Sequence, residues 1–117
     1  MAKLEMFNSE MNPTEVRAGE VVFSEGDVAE EMFVVIDGAV EISKEGVVID
    51  TASAGDAVGE MALIDDHPRA ATVTATADSS LAMISKARFE RLVEMHPYFA
   101  LMVMEQMAER LRRQTSA

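Results

Sequence analysis

From Glu15 to Ile84 the chain alternates short apolar runs with clusters of turn residues. The runs with strand length and composition are Val21-Val22-Phe23, Met32-Phe33-Val34-Val35-Ile36, Val40-Glu41-Ile42, Val47-Val48-Ile49, Ala71-Thr72-Val73-Thr74-Ala75 and Leu81-Ala82-Met83-Ile84. Val, Ile, Phe and Thr suit a pleated, half-buried surface, and runs this short fall below helix length. The breaks between them are Glu25-Gly26-Asp27, Asp37-Gly38, Glu45-Gly46, Ala54-Gly55-Asp56 and Ala77-Asp78-Ser79-Ser80. Such clusters supply positive φ angles and side-chain bonds to the backbone. Many short strands punctuated in this way predict an all-β barrel or roll. Asp37-Gly38 reads as the clearest hairpin, because Asp-Gly between apolar runs favours a two-residue turn.

Two segments depart from that rhythm. Gly59-Glu60-Met61-Ala62-Leu63-Ile64 holds good helix formers after a glycine, yet is too short for a full helix, and reads as one helical turn between strands. After Ser85 the period changes from two to about 3.6, with Phe89, Leu92, Val93 and His96 on one helical face. Ser85 is the predicted N-cap, and Pro97 ends or bends this helix. A second helix is predicted from Tyr98 to Arg113, with Leu101, Met104, Ala108 and Leu111 on one face and Phe99, Met102 and Val103 on an adjoining one. That arc is wider than the stripe of about 100° needed to lie on a single surface. The excess predicts a second contact, either a partner subunit or a lid over a ligand. Residues 1–13 read as a short, irregular lead-in and residues 14–117 as one domain.

Charge and composition narrow the chemistry. A formal net charge of −11 argues against nucleic acid as a partner, since duplex binding needs clustered Lys and Arg to neutralise phosphates. The same charge repels small phosphates at long range, so an anion site here needs a local cation and oriented N–H groups. The chain has no cysteine, which removes disulfides, thiolate metal sites and thiol nucleophiles and fits a reducing compartment. His67 and His96 are too few and too far apart for an imidazole-rich metal centre. No run approaches a membrane span of roughly 18 apolar residues, and the start lacks a secretory pattern, so a cytoplasmic location is expected.

The chemistry concentrates in residues 59–73. A helical turn starting at Gly59 presents unpaired N–H groups, and glycine there lets a ligand approach the backbone closely. Arg69 shares strand parity with Ala71, Val73 and Ala75, so a strand beginning there aims its guanidinium into the roll. A buried arginine requires an anionic partner, either a structural carboxylate such as Glu60 or Asp56 or a bound phosphate, whose two oxygens match its planar fork. Arg69, the turn N–H groups and a Glu60 carboxylate accepting from a hydroxyl together suit a molecule with a phosphate and a sugar.

This segment closely resembles the phosphate-binding cassette of the cyclic-nucleotide-binding family, which includes the regulatory subunit of cAMP-dependent protein kinase and the catabolite activator protein. Gly59-Glu60-Met61-Ala62-Leu63 and, after a five-residue loop, Arg69-Ala70-Ala71-Thr72-Val73 carry the match. It extends upstream through Ala18-Gly19-Glu20, Glu25-Gly26-Asp27, Gly38 and Gly55-Asp56. The resemblance implies a mainly β fold with helices: a double-stranded β-helix, or jelly-roll-like β-roll, with two C-terminal α-helices. It implies a ligand site of Gly59, Glu60, Met61, Ala62, Arg69, Ala70 and Ala71, with Arg69 on the exocyclic phosphate oxygens, the N–H groups of Ala62 and Ala70 beside them, and Glu60 on the ribose 2′-hydroxyl. A hydroxyl residue after the arginine tends to favour cGMP in the family. Ala70 stands there and implies cAMP, with cGMP or a larger cyclic dinucleotide left open. Val58 replaces a usual aromatic and Ala29-Glu30 a usual Gly-Asp; neither removes a phosphate contact.

Competing readings are weaker. Asp65-Asp66-His67 before Pro68 is a solvated turn more readily than a metal site. A metal-holding cupin barrel needs more histidines, an NTPase needs a Gly-Lys-Ser or Gly-Lys-Thr loop, and hydrolysis of a cyclic phosphate needs an activated water. No catalytic residue, metal or cofactor is therefore expected. Tyr98 or one of Arg110, Arg112 and Arg113 is a candidate to fold over the base. The remaining alternative is a β-roll that has lost ligand response and acts as an interaction module. A homodimer through the second C-terminal helix is expected to be possible, and the output is expected to lie in an effector that this chain does not encode.

Overall fold

The run at 32–36 is apolar without alternation, and packing on both of its faces explains why. The computed structural model describes residues 3–115; Met1 and Ala2 of the predicted lead-in, and Ser116 and Ala117 of the predicted domain, lie outside the described residues. The strands are β1 (Thr14–Val16), β2 (Val21–Phe23), β3 (Glu31–Asp37), β4 (Ala39–Lys44), β5 (Val47–Ser53), β6 (Ala57–Val58), β7 (Thr72–Ala75) and β8 (Ser79–Ser85). They form two antiparallel sheets in the orders β1-β8-β3-β6 and β2-β7-β4-β5. Helices α1 (Lys86–Met95) and α2 (Tyr98–Thr115) follow. On β3, Phe33 and Val35 enter the core between the sheets with Val40, Ile42, Val58, Val73 and Leu81. Met32 and Val34 turn the other way, onto a second core with Ile84, Phe99 and Val103. A strand covered on both faces reads as a continuous apolar run. The whole is a mainly β fold with helices, the jelly-roll-like β-roll implied by the sequence.

The expected hairpin at Asp37-Gly38 is a corner between sheets instead. β3 pairs with β8 and β6 while β4 pairs with β5 and β7, so the chain leaves one sheet at Asp37 and enters the other at Ala39. Gly38 (φ +97°) packs directly on Ser79, whose hydroxyl accepts from the Ala39 N–H at 3.1 Å and donates to the Ala77 carbonyl at 2.8 Å. The hairpin lies at Glu45-Gly46, joining β4 to β5 with φ of 52° and 81°. Two short strands, β1 and β6, escaped the pattern because neither has a run long enough to show a period.

The predicted lead-in is more ordered than its sequence implied. Glu5–Phe7 form a 3-10 turn, and Leu4 and Phe7 are almost fully buried in the helix-side core, Phe7 meeting Phe99 edge-on at 5.8 Å. The Glu10 carboxylate receives two bonds of 2.7 Å from Arg88 of α1, whose guanidinium also lies over the Phe7 ring. Ser85 caps α1 as expected by accepting from the Arg88 N–H.

Strong acid should weaken this anchor. Hydrogen bonding from Arg88 outweighs the opposing effect of burial and holds the Glu10 carboxyl below its ordinary value of 4.5. At Asp50, burial pushes the carboxyl up, but bonds from Arg113 and the Thr51 N–H, with the charges of Arg113 and Arg110, bring it below 3.8. A carboxyl whose folded value is depressed stabilises the fold above its unfolded value, and that stability is lost as pH falls through the folded value. The melting temperature is expected to be flat above about pH 5 and to fall below it. Glu10→Gln should lower the plateau and flatten the acid limb in calorimetric scans.

Candidate ligand site

The 3-10 turn Glu60–Leu63 and the segment up to β7 close one end of the roll against α2. Between them lies a cavity of about 930 Å³, within the size range of small-molecule sites. All seven predicted site residues, Gly59, Glu60, Met61, Ala62, Arg69, Ala70 and Ala71, line it. Phe23, Ile42, Ile49, Val58 and Val73 supply its apolar wall from the sheets, and Met107, Ala108, Arg110, Leu111 and Gln114 its wall from α2.

Arg69 reaches the interior by a route the parity argument did not contain. The strand begins at Thr72, three residues late, and the Arg69 backbone is instead tied to the Gly26-Asp27 turn. Its N–H donates to the Asp27 carbonyl at 2.9 Å, and its carbonyl accepts from the Gly26 N–H at 2.8 Å. The guanidinium lies 3.9 Å from the centroid of the Phe23 ring, which stacks on Phe33. Nη1 donates to the Gly59 carbonyl at 3.1 Å and Nη2 to the Glu31 carbonyl at 2.6 Å. Gly59 sits at φ +73°, and a Cβ there would come within 2.7 Å of Arg69 Nη1, so glycine is required for this approach.

The structural salt bridge from Arg69 to Glu60 or Asp56 does not form. The carboxylate nearest to Arg69 is Glu31 at 3.8 Å; Asp56 pairs with Lys3, and Glu60 with Arg110 of α2 at 3.0 Å. Burial pulls the Arg69 guanidinium below its ordinary pKa, opposed by the charges of Glu31, Asp27 and Glu60. Arg69 and Glu60 are each only 6% exposed, and among the described residues neither Arg69 Nε nor Glu60 Oε2 finds a hydrogen-bond partner. A buried unpaired donor and a buried unpaired acceptor on one cavity are a costly pair unless a bound molecule satisfies both. The expected phosphate seat is less complete in its backbone, since the Ala62 N–H donates to the Gly59 carbonyl at 3.2 Å.

Of the candidates to cover a base, Arg110 lines the cavity; Tyr98 is 77% exposed at the far end of α2, and Arg113 bonds to Asp50 at 2.9 Å. Arg110 is itself held, by Glu60, by Asp50 at 3.2 Å and by the Ala57 carbonyl at 2.8 Å. The pairing of Arg110 with Glu60 was not foreseen, because fifty residues separate them. Its one local signal was a pair of polar residues, Gln106 and Arg110, four apart on the helix face that carries Phe99 and Val103. The predicted wide arc divides in two: Phe99 and Val103 face the core, while Leu101, Met104 and Leu111 are largely exposed.

A β-roll with a buried arginine and a buried carboxylate on one cavity has the form of a small-ligand binding domain. The sequence profile described as "Cyclic nucleotide-binding domain" matches residues 13–96, and the chain belongs to that family. A cAMP-dependent protein kinase regulatory subunit from Eremothecium gossypii is 46% identical over 77 residues, covering 65% of this chain and 17% of that protein. The chain thus spans less than a fifth of that relative's length. Among solved structures, the c-di-GMP-responsive global regulator CLP of Xanthomonas campestris superposes with a TM-score of 0.82 at 27% identity, over 95% of this chain and 59% of that one. The catabolite activator protein of Thermus thermophilus, at 24% identity and a TM-score of 0.78 over 92% of this chain and 53% of its own, shares the fold. No helix among the described residues is long and apolar enough to cross a membrane.

Proposed function

We propose that the domain senses cAMP, with the cyclic phosphate on Arg69 and the ribose 2′-hydroxyl on Glu60. The observation that carries this reading is the orphaned pair, Arg69 Nε and Glu60 Oε2, buried on one cavity. A cyclic nucleotide offers what each lacks: an anionic acceptor for the guanidinium and a hydroxyl donor for the carboxylate. Once the phosphate sits at Arg69 and the 2′-hydroxyl at Glu60, the base must lie toward α2, because C1′ adjoins C2′. There Met107, Ala108 and Leu111 offer an apolar face. Ala70 after the arginine and the likeness to a cAMP-dependent regulatory subunit favour cAMP over cGMP; the likeness to a c-di-GMP-responsive regulator keeps the dinucleotide in the test. The domain carries out no chemistry on the nucleotide, and its closure around ligand is the signal passed to an effector.

A thermal-shift series with cAMP, cGMP and c-di-GMP tests this directly, since a ligand confined to the folded state raises the melting temperature by mass action. cAMP is expected to give the largest rise, about 2.7 kcal/mol of added stability at a hundred times its Kd. No rise with any of the three rejects the reading. The alternative, an interaction module indifferent to ligand, draws on the exposed row Leu101, Met104 and Leu111 of α2. It requires a homodimer whose sedimentation is the same with and without cAMP.

A further inference from the structure

β6 is the edge strand of its sheet, paired with β3 on one side only. Edge strands leave a row of backbone groups without strand partners. Here two side chains of α2 take them. The Ala57 N–H donates to Gln106 Oε1 at 2.7 Å, and Gln106 Nε2 donates to the Gly55 carbonyl at 2.8 Å, which also accepts from the Leu4 N–H. Four residues along the same helix face, Arg110 Nη2 donates to the Ala57 carbonyl at 2.8 Å while Nη1 holds Glu60 Oε1. Both polar groups of Ala57 are thus read by α2, three residues before the carboxylate in the cavity.

Gln106 is 5% exposed and sits beside Phe99 and Val103, which face the core. An amide there is tolerated because its donor and acceptor are both used. It is also selective. Sliding α2 by one turn, about 5.4 Å, would bring Met102 or Arg110 to the Ala57 N–H. A thioether is a weak acceptor and a guanidinium is none.

We infer that Gln106 is a positioning residue that sets the register of α2 along β6, and thereby holds Arg110 on Glu60 so that Oε2 faces the ribose. The second half of this inference rests on the reading of Glu60 as the 2′-hydroxyl acceptor. Gln106→Met keeps length, volume and helix propensity but removes both hydrogen-bonding groups; Gln106→Glu keeps an acceptor for Ala57 and loses the donor to Gly55. Calorimetric titration of the full chain with cAMP and with 2′-deoxy-cAMP separates positioning from general loosening. Gln106→Met is expected to weaken cAMP about tenfold and 2′-deoxy-cAMP less than about twofold, and Gln106→Glu, which sets a buried carboxylate oxygen against the Gly55 carbonyl, to weaken cAMP at least as much. Arg110→Met should give the same selective loss, and the two should not add. Equal losses for both nucleotides, or none, overturn the positioning role.

Hydrogen exchange covers the register itself without any nucleotide. In Gln106→Met the Ala57 amide and the α2 amides are expected to exchange at least about tenfold faster, while the β1–β8 pairing is unchanged. Unchanged exchange at Ala57 overturns the register claim. If the unsubstituted chain binds neither nucleotide, the ribose reading falls, and exchange alone decides whether Gln106 sets the register.

Discussion

Arg69→Ala is expected to weaken cAMP binding by about 2–5 kcal/mol, or roughly 30-fold to 5,000-fold. The range follows from where the charge sits. The side chain is 4% exposed and stacked on Phe23, so its removal would leave the phosphate without its charged partner in a largely apolar cavity. Free protein should suffer less, since what it loses is the donors to the Gly59 and Glu31 carbonyls and the stacking on Phe23, about 1–3 kcal/mol. The two effects separate experimentally: titration calorimetry reads the first, urea unfolding without ligand the second. Arg69→Lys restores charge but not the planar fork, and should recover only part of the affinity. Affinity within twofold of the unsubstituted chain for Arg69→Ala would remove the phosphate from this position.

Gly38→Val is expected to cost the fold about 2–5 kcal/mol, from two sources that add. A β-branched residue at φ +97° pays a steric penalty of about 1–2 kcal/mol. Its Cβ would also overlap the Ser79 hydroxyl, the Asp78 carbonyl oxygen at 2.6 Å and Ser79 Cβ at 2.7 Å, overpacking worth about 1–3 kcal/mol. Neither neighbour is free to withdraw, because Ser79 pairs with Val16 on β1 and its hydroxyl holds the corner together. Gly38→Ala should show most of the penalty, and adding Ser79→Ala should rescue little, since Asp78 O and Ser79 Cβ remain. A shift in the urea midpoint worth less than about 1 kcal/mol for Gly38→Val would mean that the corner can open.

Much of the candidate site was legible because its lining residues are nearly continuous in the chain. Gly59 through Ala71 lie within thirteen positions, and the reasons for each residue type are local: a short helical turn, a glycine without a Cβ, an arginine beside alanines. Arg69 was read as interior by strand parity. It is interior, but the Gly26-Asp27 turn directs it there rather than the strand. The helices were equally visible, with α2 running two residues past the expected Arg113. Leu4 and Phe7 were missed because so short a stretch, with only Leu4, Met6 and Phe7 apolar, shows no period.

What the order of residues determined alone is most of the short strands, the change of period at Ser85 and the stretch that lines the cavity, since each depends on neighbours within a turn or a strand. Tertiary structure alone decided three things: that Asp37-Gly38 passes between sheets, that Glu60 meets Arg110 rather than Arg69, and that Gln106 reads the edge of β6. Each of these joins groups about 40 to 50 residues apart, at Gly38 with Ser79, Glu60 with Arg110, and Ala57 with Gln106. Only closing the roll and laying α2 across it brings such groups within hydrogen-bond reach, because those pairings exist in no local stretch of chain.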